Sequence, residues 1–520
     1  MDPEPEDLSD KPFEPSILNQ TVISIPLLRL LAAERARLVS EPASPRLFSI
    51  IIDLNLEYPG GREGAKQWIV KTLNRLVPQH TTNQKHLTAG IKADKQVKNQ
   101  YSQQYLFVRL EAAVIEALVE EDRYHYDDPP KADGPLVSPK AIYHIWPDFA
   151  IKGLLNKSIS TVKGDAAQAS YAAFGEGIVW AVMDSGIDRR HQHFATYGNL
   201  DLPLPLKHAD FTGAAGPEAA LEDKVGHGTH VAGIIAGMWP KEGPPPKAYN
   251  RQRDESGEVT YAQVEVKAIS GIAPRCKLLS IKVMDDDGEG GSQGEASNLI
   301  AAIAMIQELN GYGRKLIVHG VNMSVGYEFD PEWFACGQSP LCVEINRLVR
   351  SGVVVVVAAG NTGYGASQSR FNGIVSAGMG LTINDPGNAD LAITVGSTHR
   401  DKPHVYGVSY FSSKGPTGDG RAKPDLVAPG EKILSCATGA LLKNMPLKEQ
   451  SSNYVEDSGT SMAAPHVSGA IAAFLSIRQE YIGEPEKVKE VFMSTATDLK
   501  RERYFQGAGL VDLMRAIQSV

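Results

Sequence analysis

The run VVVVVAAG at residues 353–360 places the tightest limit on what this chain can fold into. Its apolar stretch is far shorter than the roughly 20 residues needed to cross a bilayer. β-Branched residues fit a pleated strand, and a strand that is apolar at every position must be covered on both faces. The same texture recurs in GIVWAVMD, KLLSIKVM, KLIVHGVNMS and DLAITVGS. Between these runs lie the helical stretches GEASNLIAAIAMIQELN, VEINRLVRSG and HVSGAIAAFLSI. Such alternation predicts an α/β domain, a mostly parallel sheet with helices on both faces. In sheets of this kind the reactive side chains collect at the carboxyl ends of the strands.

With 520 residues, the chain is too long for one ordinary core. Residues 1–45 mix acidic, proline-containing sequence with a short helical pattern and are expected to be partly disordered. From RLFSIIIDLNL onward the order is strand, helix, strand, helix, ending in the extended AIYHIWPDF. This predicts a small α+β unit over 46–150, followed by the α/β domain over 151–520. A net charge of −9 argues against a nucleic-acid partner. The acidic start MDPEPEDLSD lacks the basic opening of an export signal, so the expectation is a cytoplasmic protein with no membrane segment. Four cysteines are too few for a disulfide scaffold. Cys336 and Cys342, in CGQSPLC, fit a small closed loop or two free thiols equally well.

Four positions fit the strand-edge rule. Asp184 ends the apolar run GIVWAVMD. His227 opens VGHGTHVAGIIAG, where small neighbours let an imidazole approach another segment, and His230 reads as a packing partner. A metal site is not supported there, because the HExxH glutamate is absent. Asn361 follows the valine run, a place where a side-chain amide is held rigidly enough to donate to an oxyanion. Ser461 stands in VEDSGTSMAAPHVSG at the start of an apolar helix. Ser458 is read there as a helix cap, and Ser468 as a packing residue or one bonded to the preceding turn.

The motifs AVMDSGID, HGTHVAG, AAGN and GTSMAAPH, in that order, closely resemble those of the subtilisin-like serine proteases. The resemblance covers about 155–517, while 46–150 is similar only in pattern to that family's inhibitory propeptide. It implies a serine endopeptidase that needs no cofactor for its chemistry and acts on polypeptides. Ser461 would be the nucleophile, His227 the base and Asp184 its orienting carboxylate, with Asn361 and the Ser461 N–H holding the oxyanion. The substrate-binding edges would be Ser324, Val325 and Gly326 on one side and Gly288, Glu289 and Gly290 on the other. The acidic run Asp286, Asp287 and Glu289 reads either as a solvated loop, as charge runs usually do, or as a preference for basic residues upstream of the cut. The resemblance further implies a zymogen that cuts itself near 147–153, with its own amino-terminal domain as intramolecular inhibitor, and a monomer is expected. The stretch 237–269 is longer and richer in proline than the family's calcium loop, so structural calcium cannot be assigned to any residue. The competing reading is a catalytically silent interaction module of the same fold, which serine-directed labelling would distinguish. The esterase elbow GxSxG is absent around Ser461.

Overall fold

The computed structural model describes residues 22–40, 44–81, 104–123, 140–147, 157–213, 216–240, 242, 244–253, 258–266, 268–288, 292–329, 335–369 and 373–520. It divides into two compact units, 1–152 and 153–520. In the first, strands β1 (Leu47–Leu54), β2 (Tyr105–Glu111) and β3 (Ile142–Pro147) form an antiparallel sheet in the order β2-β1-β3. Ile50, Ile52 and Leu54 of β1 are buried at alternate positions, the pattern of a sheet covered on one face. They share a core with Ile69, Leu73 and Leu76 of helix α2 (Gly61–His80) and Ile115 and Leu118 of α3 (Ala112–Arg123). Helix α1 (Ile25–Ser40) joins the same core through Leu27 and Leu31, and Ile23 bridges to Ile145. The described part of the 1–45 stretch is thus an ordered piece of this unit. Of residues 147–153, where self-cleavage is expected, all but Pro147 lie outside the described residues.

The second unit is built on seven strands: β4 (Val179–Asp184), β5 (Ala209–Asp210), β6 (Lys277–Lys282), β7 (Gly320–Met323), β8 (Val354–Ala358), β9 (Ile393–His399) and β10 (Leu426–Glu431). Their order is β10-β9-β8-β7-β4-β6-β5, with every pairing parallel. The valine run accounts for the layering, because successive side chains of a strand point to opposite faces. Val354 and Val356 pack with helices α4 (His227–Ile235) and α7 (Thr460–Ile477), whereas Val355 and Val357 pack with α5 (Ala296–Leu309) and α6 (Pro340–Arg350). Helix α7 is long and apolar enough to span a membrane, but 83% of that stretch is buried as the central helix on one face of the sheet. Fully buried side chains such as Ile471 and Phe474 contribute about 1.5–3 kcal/mol each.

One strand expectation needs correction. The strand expected from KLIVHGVNMS shortens to Gly320–Met323. The Asn310 side chain captures the N–H groups of Ile317 and Val318 and the Val318 carbonyl, holding the earlier part of that segment to the end of α5. The stretch 237–269 contains a pair of antiparallel strands, Lys247–Arg253 and Val259–Glu265, which extends a small sheet containing Ile433–Cys436 and Tyr454–Asp457. Cys336 and Cys342 are free, buried thiols, and burial pushes the Cys342 thiol up to about 12.

Candidate active site

Because all seven strands run the same way, β4, β7 and β8 deliver the residues that follow them to one edge of the sheet. Asp184 is the last residue of β4 and is fully buried. Its Oδ1 accepts a hydrogen bond from His227 Nδ1 (2.8 Å) and another from the Ser185 N–H (2.8 Å). His227 is the first residue of α4, and Gly228 lets that helix close on the strand, since a Cβ there would strike the Gly186 carbonyl. The imidazole keeps 23% of its side-chain surface exposed, enough to meet a substrate.

Burial works against a charged imidazole at His227. Asp184 outweighs it, with Asp457 and Asp223 adding at longer range, and the pKa rises to about 9. A protonated imidazole cannot accept a proton, so the acidic limb of kcat/KM is expected above the ordinary imidazole value near 6.5, toward 9. A pH–rate profile with its limb at or below 6.5 would contradict this. The raised pKa also means that the Asp184–His227 pair stabilises the fold fully below about 6.5 and loses that contribution as pH climbs through about 9.

Ser461 is the second residue of α7, so its backbone N–H is one that the helix ladder leaves unused. Its hydroxyl donates to the Ser324 carbonyl (3.0 Å), and the Ser324 hydroxyl donates back to the Ser461 carbonyl (2.8 Å). No hydrogen bond joins Ser461 Oγ to His227 in this arrangement. Catalytic hydrogen bonds of this type commonly tighten only when substrate is bound.

Asn361 lies three residues past the end of β8, and its Oδ1 accepts from the Thr460 N–H (2.9 Å) and hydroxyl (3.1 Å). With the oxygen held by α7, the amide NH2 is left to the cleft that Asn361 lines. This bond also explains why Ser458 is not the cap expected for α7. The first N–H of the helix is taken by Asn361, while the Ser458 hydroxyl accepts from the Lys432 N–H (2.9 Å). Ser468 likewise does not bond to its own preceding turn, donating instead to Asn322 Oδ1 (2.8 Å). Asn322 in turn donates to the Ser324 hydroxyl (2.9 Å). His230 is buried with Nε2 against the Val455 carbonyl (3.1 Å), the packing role read from the sequence.

His227, Asn361 and Ser461 line one cleft of about 560 Å³, together with Ser324, Val325 and Gly326. Gly326 is required there, since a Cβ would lie 2.7 Å from the Asp385 carbonyl. The opposite wall differs from expectation. Met284 and Ser292–Glu295 line it, and Gly288 does not. Pairing of Met284–Asp286 with Ser292–Gly294 puts Gly288 in the connecting turn, with Glu289 and Gly290 outside the described residues. Asp285 is paired with Lys282 (3.0 Å), and Asp286 Oδ1 accepts from the Gly288 N–H (2.9 Å), so both carboxylates serve the hairpin. Thr460 and Asn322 escaped the sequence reading, because a polar residue whose only role is to hold another carries no spacing signal of its own. Among the described residues no group of three or more metal-ligating side chains occurs.

The model of the subtilase family matches residues 175–510, which contain all four of these positions. The chain belongs to the subtilase family. AprX, a serine protease of Bacillus subtilis, is 26% identical over 401 residues, covering 73% of this subtilase and 78% of AprX. Subtilisin E of the same organism is 27% identical over 360 residues, covering 69% of this chain and 70% of its own. Pyrolysin of Pyrococcus furiosus is 31% identical over 328 residues, 56% of this chain, which spans only 21% of pyrolysin. The solved CspB protease of Clostridium perfringens shares the fold, with a TM-score of 0.50 at 18% identity, over 70% of this subtilase and 98% of CspB.

Proposed function

We propose that this subtilase is a serine endopeptidase that cleaves polypeptides through an acyl-enzyme. The reading rests on one observation, that the imidazole held by Asp184, the Ser461 hydroxyl and the Asn361 amide share a single cleft. Ser461 Oγ attacks the peptide carbonyl while His227 Nε2 takes its proton. A tetrahedral intermediate forms, its oxyanion held by the Asn361 amide and the Ser461 N–H. His227 then gives the proton to the leaving amine as the C–N bond breaks, and water reverses the sequence to free the acid. The substrate lies extended along Ser324–Gly326, recognised mainly through backbone hydrogen bonds. Asn361→Ala is expected to lower kcat by about 10²–10³-fold with KM little changed, since the lost donor acts on charge that exists only in the transition state. Steady-state kinetics on a chromogenic peptide checks this, and an unchanged kcat removes Asn361 from the mechanism.

The amino-terminal unit is proposed as an intramolecular inhibitor released by self-cleavage near 147–153, and the mature enzyme as a monomer. This rests on the sequence pattern of that unit and on the extended, aromatic strand Ile142–Pro147 that precedes the cut.

A further inference from the structure

Asp223 is a buried carboxylate four residues before His227 that the mechanism leaves unused. Its Oδ1 accepts from the Gly226 N–H (2.7 Å) and the Ser185 hydroxyl (2.9 Å). Its Oδ2 accepts from the Thr229 N–H (2.8 Å) and hydroxyl (2.7 Å). Ser185 Oγ accepts from the Gly228 N–H (2.9 Å). The N–H groups on both sides of His227, at 226, 228 and 229, are therefore all held by this one pair of side chains.

Ser185 also follows Asp184 directly, and its hydroxyl lies 3.3 Å from Asp184 Oδ1 but 2.9 Å from Asp223 Oδ1. A hydroxyl has one hydrogen, and the shorter contact to Asp223 receives it. Asp223 thereby keeps that hydrogen off Asp184, whose Oδ1 is left to His227 Nδ1 and the Ser185 N–H and whose Oδ2 has no partner among the described residues. A carboxylate with fewer donors holds its charge less shared and acts more strongly on the imidazole.

We propose that Asp223 is a positioning residue for catalysis, acting through Ser185 and the first turn of α4 to fix the place of His227 and the pull of Asp184 upon it. The inference rests on the endopeptidase reading above. Capping a helix start needs one acceptor for one or two N–H groups. Here a carboxylate is buried beside a second carboxylate, an arrangement that costs stability and that a neutral cap would avoid. Burial, opposed by the hydrogen bonds from Thr229 and Gly226, pushes the Asp223 carboxyl up to about 6, so it is ionised at the alkaline pH where His227 can act as a base. The charged and titratable groups around the cluster are Asp184, His227, His230 and Asp457, with Asp188 beside them, its N–H donating to the Thr229 hydroxyl (2.9 Å). On the outer side they are Glu222 and Lys224 of its own loop, with Arg190 and Lys443 across a small surface pocket.

The test compares wild type with Asp223→Asn and Ser185→Ala in the full chain, each normalised by active-site titration with a fluorophosphonate so that only folded, reactive enzyme is counted. Asp223→Asn is expected to lose roughly tenfold to a hundredfold in kcat, the cost of a small misplacement of the base, with KM unchanged. Its acidic limb in kcat/KM should move to lower pH, because a negative charge near the imidazolium is gone. Ser185→Ala should lower kcat in the same direction while leaving that charge, and therefore the limb, in place. If Asp223→Asn fails to fold, the kcat of Ser185→Ala alone decides. Wild-type kcat and limb in the titrated variants, with only the melting temperature lowered, would reduce Asp223 to a helix cap and overturn the proposal. Failure of the wild type itself to react with the phosphonate would instead overturn the endopeptidase reading.

Discussion

Ser461→Ala is expected to lower kcat by about 10⁶-fold, leaving only the rate that binding and the oxyanion donors provide without a nucleophile. The loss should be this large because neither nearby serine can substitute. The Ser458 hydroxyl is committed to the Lys432 N–H, and Ser468 is buried against Asn322. The fold should be unaffected. Ser461 Oγ makes one hydrogen bond, to the Ser324 carbonyl, and that carbonyl borders a cleft from which water can replace it. The same variant should accumulate as a full-length chain where the wild type is cut near 147–153. Residual hydrolysis within tenfold of wild type, after removal of contaminating protease, would contradict the assignment, as would a wild type that stays uncut for the processing claim.

Asp184→Asn should cost about 10⁴-fold in kcat, although the substitution changes almost no volume. The reason lies in how unevenly the carboxylate is used. His227 Nδ1 and the Ser185 N–H both converge on Oδ1, whereas Oδ2 is buried and accepts no hydrogen bond from the described residues. An amide with its oxygen at Oδ1 keeps the imidazole tautomer but loses the charge that stabilises the imidazolium, and buries an NH2 with nothing to accept it. The flipped amide presents NH2 to His227 Nδ1 and drives the proton onto Nε2, where the ring can no longer act as base toward Ser461. In either orientation the acidic limb should fall toward the ordinary imidazole value, because Asp184 is what raises it. Peptidase kinetics over pH 5–10 separates the two effects, and a variant with wild-type kcat and an unmoved limb would contradict the role given to Asp184.

The parallel sheet could be read from the sequence because burial on both faces leaves most positions of a strand apolar, and the valine run is the plainest case. Asp184, Asn361 and Ser461 could be picked out for the same reason, as polar residues standing where an apolar element starts or ends. What could not be read were contacts set by geometry rather than pattern. Gly288 looked like a groove edge in a glycine-rich stretch, but hairpin register decides which glycines reach the wall, and it put Ser292–Glu295 there instead. The strand pair in 237–269 was hidden because its strands are largely exposed and carry charged and polar residues, so apolarity did not mark them. Asp223 gave no signal either, since a lone aspartate in EDKVGHG is indistinguishable in sequence from a solvated loop residue. Its burial emerges only when the turn after β4 closes over it.

The central claim is that one oxygen atom, Ser461 Oγ, is the nucleophile. It is tested most directly by treating the full chain with a fluorophosphonate and locating the adduct by peptide mass spectrometry. The account predicts a single adduct on Ser461, absent in Ser461→Ala and formed far more slowly in His227→Ala. An adduct on another residue, or none on a folded wild-type protein, would contradict it.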